Sequence, residues 1–71
     1  MPSVAIAIFP GVQALDVAGP VDVFDEANRF IDAAQRYEVT LLAADCGTMR
    51  ASNGMSLTAD DTFEHCAHRF D

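Results

Sequence analysis

The sequence predicts an α/β fold on a mostly parallel sheet, and three observations carry that expectation. Residues 3–9 (SVAIAIF) are a continuous apolar run without polar alternation, as suits a strand buried on both faces of a parallel sheet, and residues 37–44 (YEVTLLAA) are a second apolar, β-favouring run. Between them lies a stretch with helical spacing. Strand, helix, strand at this separation is a βαβ unit, which implies parallel strands joined by a right-handed crossover.

The first run ends at Pro10-Gly11, a stop unusual for a helix of that length, so residues 3–9 are assigned to a strand. In the middle stretch Val17, Val21, Phe24, Asn28 and Ile31 fall on one stripe, with Asp22, Asp25, Glu26, Arg29 and Asp32 on the other side. Asp25 and Arg29 make an i,i+4 pair of the favourable order. Pro20 belongs in the first turn or two, where a missing N–H costs least, which puts the helix start between Asp16 and Pro20. After the second run, Asp45-Cys46-Gly47 reads as a turn. Residues 48–52 and 55–58 then flank Asn53-Gly54, a strong hairpin signal. Asp61-Thr62-Phe63-Glu64 has capping-box spacing with Asp61 as cap, and predicts a short helix through about His68.

Composition restricts the function classes. With 51% apolar and 21% charged residues the chain is globular in character, yet at 71 residues it has little length to enclose a core. The expectation is one unit, residues 1–71, forming the opening portion of a larger domain. The net charge is −7, with four arginines and no lysine. Clustered cations that would displace counterions from phosphates are missing, so nucleic-acid contact by this segment is not expected, and anionic membranes would repel it. Two cysteines make no disulfide framework, and the amino terminus has no basic signal-peptide region, so a cytoplasmic setting is expected.

Few residues suggest chemistry. His65-Cys66-x-His68, with Cys46 upstream, invites a zinc reading, but Cys66 would point about 100° away from His65 on a helix, and four convergent ligands are wanting. No metal or cofactor is predicted. A catalytic thiolate needs a base within reach, which neither cysteine is offered by its spacing. The turn after the first strand, PGVQALDVAG, carries no phosphate-binding glycine motif. Asp16 is better placed, directly after the first parallel strand, where α/β sheets gather ligands and catalytic groups. The alternative is a capping or first-turn aspartate, the commoner occurrence.

At this point FPGVQALDVAGPVDVFDEAN, with its Leu15-Asp16-x-x-Gly19-Pro20 core, then Val23-Phe24, Ala27-Asn28 and Ala51-Ser52-Asn53-Gly54, resembles the opening of the ThiJ/PfpI superfamily. The resemblance implies the amino-terminal part of a three-layer, class I glutamine amidotransferase-like sandwich (β-α-β, hairpin, short α), cut short. It implies that Asp16 is an accessory acid to a cysteine that would lie beyond Asp71, and that Asp16 and Gly19 border a ligand pocket. Two subgroups fit. One is the sensor-like domain of AraC-type transcription regulators, which binds a small-molecule effector or forms a homodimer and leaves DNA to a carboxyl-terminal domain. The other is the cysteine-dependent isonitrile hydratases and PfpI-type hydrolases. The Phe24–Asn28 stretch and the RASNG turn favour the regulators.

Overall fold

The computed structural model describes residues 2–66. Strand β1 (Ser3–Ala7) pairs in parallel with β2 (Glu38–Ala43), Val4 opposite Val39 and Ile6 opposite Leu41. Helix α1 (Ala14–Asn28) makes the crossover, followed by a single 3-10 turn at Ala33–Gln35. Strands β3 (Thr48–Arg50) and β4 (Ser56–Thr58) form the antiparallel hairpin, and β5 (Asp61–Thr62) adds to the far side of β2, again parallel. The fold is thus mixed α/β, with a three-stranded parallel sheet in the order β1-β2-β5 and one α-helix among the described residues.

Each boundary has a local cause. β1 continues for one bond beyond its end, Ile8 N–H to the Leu42 carbonyl at 2.7 Å. The chain then turns, Val12 N–H reaching the Phe9 carbonyl at 3.0 Å, and Pro10 has no N–H with which to prolong the ladder. β2 starts at Glu38 and not at Tyr37 because the Asn28 side chain takes both backbone groups of Tyr37. Asn28 Nδ2 donates to the Tyr37 carbonyl at 3.0 Å, and Tyr37 N–H donates to Asn28 Oδ1 at 2.8 Å. Phe24 rests on the Tyr37 ring with centroids 4.9 Å apart, and Arg36 Nε donates to the Asn28 carbonyl. A polar residue on the apolar stripe therefore clasps the end of the crossover.

The stripe itself is as expected: Val17 is buried, Val21, Phe24, Asn28 and Ile31 are half-buried, and the acidic side is exposed. Arg29 meets Asp25 at 4.0 Å and Glu26 at 3.4 Å. The helix begins earlier than predicted, at Ala14, from a Gln13 that supplies no side-chain cap. Pro20 falls in the second turn, inside the helix, and withholds from the Asp16 carbonyl its usual i+4 donor.

The predicted helix from Asp61 is corrected. Asp61-Thr62 are strand, and among the described residues Asp61 Oδ1 accepts only from its neighbour Thr62 N–H. The capping position moves to Thr62, whose Oγ1 accepts His65 N–H at 3.2 Å while its carbonyl accepts Cys66 N–H at 3.0 Å. One turn forms there; the rest of that expectation, including His68, lies outside the described residues. The core comprises Ile8, Val12, Val17, Ala43 and Ala51, flanked by Ile6, Leu41, Met49 and Leu57. It occupies one face of the sheet. On the opposite face Ala5 and Ala7 are exposed, so among the described residues β1 is covered on one face, not both.

Candidate functional site

The site is built where the first strand gives out. Gly11 has φ +85°, a conformation open to glycine at little cost, and this lets the chain reverse and donate its N–H to the Arg50 carbonyl at 2.8 Å. Ser52 N–H then donates to the Val12 carbonyl at 2.8 Å. These two bonds staple the loop after β1 onto the hairpin and bury Val12 and Ala51 between them.

The hairpin tip explains why the Ala51-Ser52-Asn53-Gly54 turn can be held there. Gly54 N–H returns to the Ala51 carbonyl and Ala51 N–H to the Met55 carbonyl. Gly54 has φ +88° while Asn53 is not in the positive region, which rules out the two-residue type I′ turn. The loop is a three-residue one with glycine in the left-handed position.

Stapling leaves a crevice of about 160 Å³ beyond the carboxyl ends of β1 and β2. Ala7 to Pro10 form one wall, Ala43 to Asp45 the other, and Met49 and Phe63 close in from the hairpin and from the turn after β5. Its volume is close to that of a cavity that admits benzene, roughly 150 Å³. The lining is mainly apolar, with Asp45 as its charged member. Phe9 and Phe63, both lining the crevice, remain 56% and 53% exposed.

Asp16 lies where the sequence puts it, in the first turn of α1 just after β1, but it does not line this crevice. Its carboxylate is exposed and makes no hydrogen bond or ion pair among the described residues. It is not the helix cap, a position held by Gln13, though its charge suits the amino end of the helix dipole. Gly19 also stands away from the crevice, within α1. Cys46 and His65, distant in sequence, line a separate and more open depression with Asp45 and Glu64. Among the described residues no group of three or more His, Cys, Asp or Glu side chains is placed to hold a metal.

Sequence reasoning missed Met49 and Phe63 as crevice walls. The only local sign was that each is a large apolar residue beside a turn, which does not reveal what it will face. Among the described residues no helix is long and apolar enough to cross a membrane.

No protein-family model matches the chain. Over 57 residues, 80% of its length, it is 40% identical to an uncharacterized protein of Streptomyces lividans from the cpoL 5′ region. The match takes in 38% of that relative, so the chain spans well under half of its length.

Proposed function

We propose that the chain is the amino-terminal part of a ThiJ/PfpI-like domain that binds a small-molecule effector in an AraC-type transcription regulator. The observation that carries this reading is the apolar crevice beyond the carboxyl ends of β1 and β2, where open parallel sheets collect ligands. The exposed Ala5 and Ala7 support a second helical layer over that face, completing a three-layer sandwich from the remainder of the protein. Among the described residues β1 stands at the end of the three-stranded sheet, and that position supports a further strand or a homodimer. The charge of −7 supports leaving DNA to another domain; the reading sets the protein in the cytoplasm and invokes no cofactor.

The test is to fill the crevice. Ala44→Trp in the full-length regulator should abolish the effector's influence on operator binding while operator affinity without effector is kept. An effector response equal to wild type would remove the reading. A second reading, a cysteine-dependent isonitrile hydratase or PfpI-type hydrolase, is favoured by the exposed, uncommitted carboxylate of Asp16. On that reading Asp16→Ala lowers turnover markedly, and unchanged turnover would dismiss it.

A further inference from the structure

Asp45 belongs to two neighbouring hollows of different character. It lines the crevice beyond β1 and β2, whose other walls are apolar, and it lines the more open depression that holds Cys46, Thr62, Glu64 and His65. Ala44 is shared in the same way, so the two hollows meet at Ala44-Asp45, directly after β2. A ligand that bridges this boundary needs an apolar body and a polar head.

The charges choose the head. Asp60 and Asp61 already have work within the fold, Asp60 Oδ2 accepting the Leu41 N–H and Asp61 Oδ1 the Thr62 N–H. Asp45 is exposed, and its carboxylate makes no hydrogen bond or ion pair among the described residues. Among those residues no arginine lines either hollow, and the chain has no lysine and a net charge of −7. An anionic head would therefore meet no cationic side chain of Arg or Lys and would be repelled by Asp45. A neutral hydroxyl could donate to Asp45 but would add no ion-pair attraction. A protonated amine supplies both the donor and the charge. The crevice, at about 160 Å³, matches one phenyl ring or a short branched alkyl group as the body. We infer that this site takes a small organic amine, its aryl or alkyl group in the crevice and its ammonium at Asp45. The inference rests on reading the crevice as the effector site, and it names the class of effector.

The test titrates the full-length protein at neutral pH with benzylamine, benzyl alcohol and phenylacetate, which share the ring and differ in the head. NMR should show benzylamine binding about fivefold or more tightly than benzyl alcohol, and phenylacetate weakest, with amide shifts at Ala7, Ala43 and Phe63. The preference for the amine should shrink in about 0.5 M salt. Asp45→Asn should bring the amine-to-alcohol ratio to about one, whereas Asp45→Glu, which keeps the charge, should retain the preference. Both substitutions fall at an exposed position, so the core is left in place. Equal affinity for amine and alcohol, or a preference that Asp45→Asn leaves intact, would overturn the inference while an apolar effector site still stands. Binding of none of the three, or shifts that Ala44→Trp does not suppress, would remove the crevice reading itself and the inference with it.

Discussion

The βαβ unit and the segment that follows it are held together by different means. In the first, long elements bury matching apolar faces: Ile6, Ile8 and Leu41 from the sheet, Val17 from the helix. In the second, strands of two or three residues are fixed by backbone bonds to the first region. Arg50 and Ser52 bond the loop after β1, Asp60 bonds Leu41, and Phe63 N–H bonds the Ala43 carbonyl at 3.0 Å. The βαβ unit thus acts as a template, and the later segment is laid along it. The crevice lies where the two meet, so its shape depends on both.

Substitutions in the two regions should separate these modes, and the largest effect belongs to the core. Ile8 is 2% exposed, and Ile8→Ala removes buried methyl groups at the end of β1, a loss of roughly 2–5 kcal/mol by urea unfolding. A loss below about 1 kcal/mol would mean that the βαβ core is not the template. Asn28→Ala comes next. It strands both backbone groups of Tyr37 in a half-buried position and should cost about 1–3 kcal/mol, with the amides of residues 36–38 losing exchange protection first. The smallest effect is expected in the later segment. Thr62→Val keeps the shape but deletes the acceptor for His65 N–H, and should cost about 1 kcal/mol while leaving protection in β1 and β2 intact. Loss of β1 protection in that variant would reverse the template argument.

The same contrast explains what was legible in the sequence. The stripe from Val17 to Ile31 repeats often enough for its period to name both the helix and its buried side. Its start was misjudged because Gln13 brings no side-chain cap, leaving no signal at Ala14. β5 was illegible: two residues cannot display a period, and Asp61-Thr62 reads equally well as a capping sequence until β2 is there to pair with it. In the hairpin, Asn53-Gly54 announced a reversal, but the loop length was settled by which residue takes positive φ, and that is Gly54 alone of the pair. For the site, the order of elements indicated the carboxyl end of β1 and drew attention to Asp16. The walls contributed by Met49 and Phe63 come from contacts distant in sequence, which periodicity does not report.

Interstrand NOEs in the full chain probe most directly whether the crevice is framed by two strands running the same way. The parallel register predicts cross-strand contacts that advance together, Ala5 with Thr40 and then Ala7 with Leu42. Contacts that run in opposite directions along the two segments, or none between them, would remove the crevice and every functional reading built on it.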